Sequence, residues 1–164
     1  MSSFEQGDAP GRDGGWDTIH ATCIVIGEAG VLIRGDSGTG KSSLARAILG
    51  TARGAGRFAR LVSDDRTRIA QRHGRLVAQV VPSIAGRIEA RGAGILAMAH
   101  ETSAVVRLVV DLAHAEPPRL PAPEDQTIVL CGVVVPRLRQ CSNASSPGLV
   151  LGSIDGDLSG IRTA

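Results

Sequence analysis

The chain has 164 residues, 43% of them hydrophobic, and carries a formal charge of +2 from 18 basic and 16 acidic residues. This length and hydrophobic content predict one globular domain with a buried core and exclude a largely disordered chain. The nearly balanced charge argues against a general nucleic-acid-binding face, and an aromatic content of 2% leaves no stacking platform for single strands.

Cysteine usage and the absence of long apolar runs bear on the compartment. The three cysteines show neither CxxC spacing nor a paired framework, which is typical of a reducing cytoplasm. No apolar run of about 18 residues is present, so the sequence predicts no transmembrane helix. Residues 1–17 are rich in Gly, Asp, Ser and Pro and are predicted to form a disordered tail, with 18–164 as a single domain.

Short apolar runs separated by glycine, proline and charged turns predict a series of strands around one helix. The predicted strands cover residues 19–26, 31–33, 59–63, 103–112 and 127–135, with a further hairpin over 66–79. The predicted helices cover 42–49 and, weakly, 148–154, while 50–57, 80–91 and 116–124 are predicted to be irregular or flexible.

A Walker A pattern lies between the strand at 31–33 and the helix at 42–49. Its glycines allow a tight turn whose N–H groups point at phosphate oxygens, and the following helix adds its positive end. A glycine-rich turn without a ligand is the alternative, but the strand before and the helix after are the context that the motif requires. The sequence predicts a nucleoside triphosphate site made of Gly35, Asp36, Ser37, Gly38, Thr39, Gly40, Lys41, Ser42 and Ser43.

Three further polar positions are candidates for the chemistry. Asp64 and Asp65 end a predicted strand downstream of Walker A, where P-loop enzymes hold Mg²⁺ or activate a hydroxyl, although an ordinary acidic turn fits equally well. His20 lies on the strand before the loop strand, and a surface histidine is the simpler interpretation from the residues alone. Glu89 lies in a glycine-rich and charged segment, which a solvated strand face would also explain.

Taken in order, these residues resemble the catalytic domain of the HPr serine kinase/phosphorylase family, in a short form similar to α-proteobacterial members. The resemblance rests on five features that together cover about 19–151. They are His20 at the family's spacing, the Walker A segment 30–42, the acidic pair in 61–66, the Ile-Glu-x-Arg-Gly segment in 88–95, and the strand 133–138.

The resemblance implies an α/β fold, a P-loop kinase variant similar to phosphoenolpyruvate carboxykinase, with a central mixed β-sheet and flanking helices. It also implies ATP-dependent phosphorylation of a serine on the phosphocarrier protein HPr of a phosphotransferase system, with a regulatory output and, in the family, hexamers. By the same resemblance Asp64 is the base, with His20 in contact with it, while the Walker A pattern itself assigns Lys41 to the β- and γ-phosphates. Ser42, Asp65 and Glu89 hold or orient Mg²⁺.

One departure concerns the reverse reaction. Residues 142–147 contain no arginine and stand where the family carries a loop tied to dephosphorylation, which puts phosphorylase activity in doubt.

Two other functions remain open. A small-molecule P-loop kinase would use an arginine-rich lid, for which Arg53, Arg57 and Arg60 are candidates, and a nucleotide-binding sensor would need little catalysis.

Overall fold

The computed structural model describes residues 15–156, which contain ten β-strands and two α-helices. The strands are β1 (Asp17–Ile26), β2 (Ala29–Arg34), β3 (Ala59–Ser63), β4 (Arg66–Arg72), β5 (Arg75–Val80), β6 (Arg87–Ala90), β7 (Gly94–Ala97), β8 (Ser103–Ala113), β9 (Thr127–Leu130) and β10 (Val133–Cys141). The helices are α1 (Lys41–Gly54) and α2 (Pro147–Asp155).

Eight strands form one mixed sheet, hydrogen-bonded in the order β2-β1-β4-β5-β8-β10-β9, with β3 paired to β1 and an additional pairing of β2 with β8. The pairs β2–β8 and β8–β10 are parallel and the other pairs are antiparallel. Strands β6 and β7 form a separate two-stranded sheet. The carboxyl ends of β2, β8 and β10 therefore meet at one edge, where β2 runs into the glycine-rich loop.

Two hydrophobic cores lie on the two faces of this sheet. Helix α1 buries one face against the sheet, with apolar residues recurring at helical spacing (Leu44, Ala45, Ile48, Leu49 and Ala52), and α2 packs beside it. Successive residues of β1 point to opposite faces, so that Ile24 belongs to this core and Cys23 to the other. The predicted α/β class with a central mixed sheet is confirmed.

Some predicted boundaries were wrong. Helix α1 continues to Gly54 because Ala52 extends its buried face, so residues 50–54 are not a flexible connection. The predicted strand 127–135 is a hairpin of β9 and β10, since Cys131 and Gly132 adopt positive φ values of 49° and 77°. Strand β10 continues past Pro136, which lies where pairing with β9 ends and pairing with β8 begins, so its missing N–H breaks no continuous ladder.

The remaining differences lie before β7 and at the amino-terminal end. Part of the segment 80–91, predicted to be irregular, forms β6, in which Ile88 and Ala90 are buried and alternate with exposed residues. Residues 1–14 of the predicted tail lie outside the described residues, whereas β1 already begins at Asp17. No helix within 15–156 combines the length and apolar character needed to cross a membrane.

Candidate active site

The glycine-rich loop connects β2 to α1 at the carboxyl edge of the parallel strands. Gly35, Gly38 and Gly40 all have positive φ, and a Cβ on Gly35 would lie 2.6 Å from Thr39 Oγ1 and 2.7 Å from the Leu112 carbonyl oxygen. The Thr39 hydroxyl donates to the Asp36 carbonyl at 2.8 Å and closes the loop. Helix α1 begins after Gly40 without a side-chain cap, so its first N–H groups remain available to an anion.

Lys41 is buried inside this loop. Its Nζ donates to the Gly35 carbonyl at 2.9 Å and to the Asp36 carbonyl at 3.1 Å. Burial lowers the pKa of Lys41, and the nearby carboxylates of Asp65, Asp64 and Asp36 partly oppose that shift. The ammonium group is therefore held at the place where the loop can surround phosphate oxygens.

The Asp64 carboxylate is buried and accepts three hydrogen bonds. Its Oδ1 accepts from the hydroxyls of Thr22 and Ser42, each at 2.7 Å, and its Oδ2 accepts from the Glu89 N–H at 2.9 Å. The ends of β3, α1 and β6 are thus joined to β1 through one side chain. The sequence predictions missed Thr22, although a polar residue two positions after His20 on the same strand face was a usable signal.

Asp65 and His20 form a hydrogen-bonded pair that is more exposed than the Asp64 carboxylate. His20 lies opposite Arg66 in the β1–β4 register, and Asp65 has a φ of 65°, so the chain turns between β3 and β4. His20 Nε2 is hydrogen-bonded to Asp65 Oδ1. The predicted contact of His20 with Asp64 is therefore wrong, because the two carboxylates reach β1 at different residues: Asp65 is bonded to His20, whereas Asp64 is bonded to Thr22.

Most of the predicted residues line one cavity of about 270 Å³ at the mouth of the loop. Its walls are His20, Ser37, Gly38, Gly40, Lys41, Ser42, Ser43, Asp65, Glu89 and Arg91. Four predicted residues do not line this cavity: Gly35, Asp36, Thr39 and Asp64. The first three take part in the hydrogen bonds that hold the loop together. Arg91 was not predicted as a site residue, although it belongs to the Ile-Glu-x-Arg-Gly segment.

A second cavity of about 250 Å³ adjoins the first, because Asp65 and Glu89 line both. Its other walls are Asp64, Arg66, Ile84, Arg87 and Ile95. The acidic residues thus lie between a polar cavity at the glycine loop and a cavity with aliphatic and basic walls.

The oxygen donors at this place fit a magnesium ion shared with phosphates. Ser42 Oγ and Asp64 Oδ1 lie 2.7 Å apart, and the carboxylates of Asp65 and Glu89 line the same cavity as Ser42. Within residues 15–156 no group of three or more histidine, cysteine, aspartate or glutamate side chains could hold a metal by itself. Mg²⁺ is ordinarily bound by one or two carboxylates together with substrate phosphates, so this donor set fits.

The arginines proposed as a lid lie elsewhere. Arg53 donates to the Ala59 carbonyl at 2.9 Å, Arg57 forms two hydrogen bonds with Asp155, and Arg60 is paired with Glu101. None of the three lines either cavity. The structure therefore gives no support to an arginine lid at these positions.

Comparison with known proteins shows what this chain is similar to. Residues 16–138 match the family model described as the HPr Serine kinase C-terminal domain. The HPr kinase/phosphorylase of Streptococcus thermophilus is 33% identical over 133 residues, which are 74% of this chain and 41% of the relative. The enzyme of the same name from Levilactobacillus brevis is 32% identical over 97 residues, or 58% of this chain and 28% of the relative.

A solved structure extends the likeness to the fold. The HPr(Ser) kinase/phosphatase of Coxiella burnetii is 26% identical and superposes with a TM-score of 0.69, covering 90% of this chain and 99% of the solved chain. The chain spans less than half the length of the curated relatives that it matches.

Proposed function

Because the chain belongs to the family of HPr serine kinase C-terminal domains, we propose that it transfers the γ-phosphoryl group of ATP to a serine of HPr. The observation that carries the proposal is the position of the acidic pair: Asp65 lines both the cavity of the phosphate loop and the second cavity, and Asp64 lines the second. The proposal further includes a regulatory, cytoplasmic role, with the hexamer of the family as its assembly.

The phosphate loop would bind the nucleotide. The N–H groups of the loop and of the first turn of α1 would receive the phosphate oxygens, and Lys41 would move from the Gly35 and Asp36 carbonyls to the β- and γ-phosphates. Mg²⁺, held by Ser42 with Asp65 and Glu89, would supply positive charge against the transferring phosphoryl group. These residues position the donor, which is the main requirement of phosphoryl transfer.

Asp64 is the proposed general base. It lines the second cavity, and Thr22 and the Glu89 N–H hold its carboxylate in one orientation. The serine hydroxyl would give its proton to Asp64 while the serine oxygen forms a bond to the γ-phosphorus. At the same time the bond between the γ-phosphorus and the oxygen that bridges it to the β-phosphate would break. Asp65, oriented by His20, is the competing candidate because it lines both cavities and is more exposed.

The test is incubation of the protein with ATP, Mg²⁺ and purified HPr, followed by mass measurement and mapping of phosphoserine. We expect one phosphate on HPr and its loss in Lys41→Met. Asp64→Asn should abolish transfer while ATP binding is kept, and Asp65→Asn serves as the isosteric comparison. Full transfer by Asp64→Asn with loss in Asp65→Asn would move the base to Asp65. Transfer to a metabolite instead of HPr, or ATP binding without any transfer, would reject the proposal.

The reverse reaction is tested separately with phosphorylated HPr and inorganic phosphate. In place of the family's arginine-containing loop, residues 142–146 connect β10 to α2 through a short turn, Ser142–Ala144, and no arginine lies within 142–147. We therefore expect little or no phosphorylase activity. Formation of unphosphorylated HPr at a rate comparable to that of the forward reaction would contradict that expectation.

A further inference from the structure

Strand β6 presents a row of charged side chains along the boundary between the two cavities. Arg87 and Glu89 of β6 are exposed and alternate with the buried Ile88 and Ala90, as the two-residue period of a strand requires, and the exposed Arg91 follows directly after the strand. Glu89 lines both cavities, Arg91 lines only the loop cavity, and Arg87 lines only the second cavity. Strand β6 and the residue that follows it thus place an arginine on each side of a shared glutamate.

The position of this row is fixed by the backbone. The Glu89 N–H donates to Asp64 Oδ2 at 2.9 Å, and β6 is paired with β7 from Arg87 to Ala90. Within residues 15–156 neither Arg87 nor Arg91 takes part in an ion pair, so both guanidinium groups are available to a ligand. The row cannot shift along the boundary without breaking the bond to Asp64.

The two cavities differ in chemistry. The loop cavity is bounded by loop glycines, hydroxyls and Lys41, which suit phosphate oxygens. The second cavity combines the aliphatic side chains of Ile84 and Ile95 with Arg66 and Arg87. Ile95 is 65% exposed, so an apolar group of a partner could cover it. Aliphatic and basic walls beside a carboxylate pair suit a peptide segment, since phosphate alone would leave the aliphatic walls unused.

We propose that β6 divides the site into a donor side and an acceptor side, with Arg91 contacting the phosphates of the nucleotide and Arg87 contacting the protein segment that carries the serine. An aliphatic side chain of that segment packs on Ile84 and Ile95. Carboxylate or carbonyl oxygens of the same segment accept hydrogen bonds from Arg87 and Arg66. This inference rests on the proposed function for the identity of the acceptor, and it assigns separate substrates to two arginines four residues apart.

The test compares Arg91→Ala with Arg87→Ala, each serving as the control of the other, and with Arg75→Ala as an exposed arginine that lines neither cavity. Binding of ATP with Mg²⁺ is measured by calorimetry, and kcat and KM for HPr by the transfer assay. A lost charge-assisted contact weakens binding about 10-fold. Arg91→Ala should therefore bind ATP about 10-fold more weakly and have a lower kcat, with KM for HPr unchanged.

Arg87→Ala should raise KM for HPr by about 10-fold, with ATP affinity unchanged. Ile95→Ser, at a side chain too exposed to disturb the core, should also raise only the KM for HPr. Equal effects of Arg87→Ala and Arg91→Ala on both substrates, or effects no larger than those of Arg75→Ala, would overturn the division. If the unaltered protein transfers nothing to HPr, the proposed function and the acceptor side fail together. ATP affinity still decides the donor side in that case.

Discussion

Two aspartates that are paired with arginines, Asp111 with two and Asp155 with one, differ in burial and allow a quantitative prediction. Asp111 accepts bonds from Arg34 Nε and Nη2, both at 2.8 Å, and from Arg137 Nε at 2.6 Å. Arg34 is the last residue of β2, directly before Gly35, and it is paired in register with Asp111 on β8. This cluster therefore joins the three parallel strands at the base of the phosphate loop.

The Asp111→Asn variant should lose much of the charge pairing while keeping its volume. Removing one partner of a fully buried pair costs about 3–5 kcal/mol, because the remaining charge is left without compensation. Asp111 is 15% exposed and the two arginines are 26% and 21% exposed, so part of the cost is relieved by water. We expect a loss of about 2–3 kcal/mol in the free energy of unfolding and a fall in the melting temperature of about 4–12 °C.

The matched control is Asp155→Asn. Asp155 also accepts two bonds from one arginine, at 2.9 and 2.8 Å, but its side chain is 55% exposed and that of Arg57 is 31% exposed. Exposed pairs contribute about 0–1 kcal/mol. Urea unfolding of both variants, with unchanged slope, gives the comparison. A loss in Asp111→Asn no greater than that in Asp155→Asn would refute the view that burial and the second arginine raise the cost at Asp111.

Three further predictions follow from single residues. Gly35→Ala should abolish ATP binding because its Cβ would meet Thr39 and the Leu112 carbonyl, whereas Gly50→Ala, with nothing within 4 Å, should bind ATP normally and be about 0.5–1 kcal/mol more stable. The pKa of Lys41 is lowered in the folded protein, so Lys41 loses its proton at a lower pH there than in the unfolded chain. The free energy of unfolding, measured by urea titration, should therefore rise relative to that of Lys41→Met as the pH approaches 10.5. The same pH dependence in both proteins would contradict this. Burial raises the pKa of Cys23 to about 12, so mass spectrometry should find this thiol unmodified by iodoacetamide until the chain unfolds.

Much of the candidate site could be predicted from the sequence because its signals are local. The phosphate loop needs glycines at positions with positive φ, a lysine and a following helix, and all of these are adjacent along the chain. The strand at 59–63 followed by Asp64 and Asp65 is likewise a local pattern. Residues whose roles depend on strand pairing were harder, and Thr22 and Arg91 received no role.

The helix of the phosphate loop, the strand before it and the identity of the acidic pair were determined by neighbouring residues, since backbone torsions and apolar periodicity act over a few positions. Only the tertiary structure decided that His20 pairs with Asp65 and that Ser42, Thr22 and the Glu89 N–H converge on Asp64. These contacts join residues 22 to 45 positions apart. Their geometry depends on the strand register and on the turn at Asp65, which no local pattern specifies.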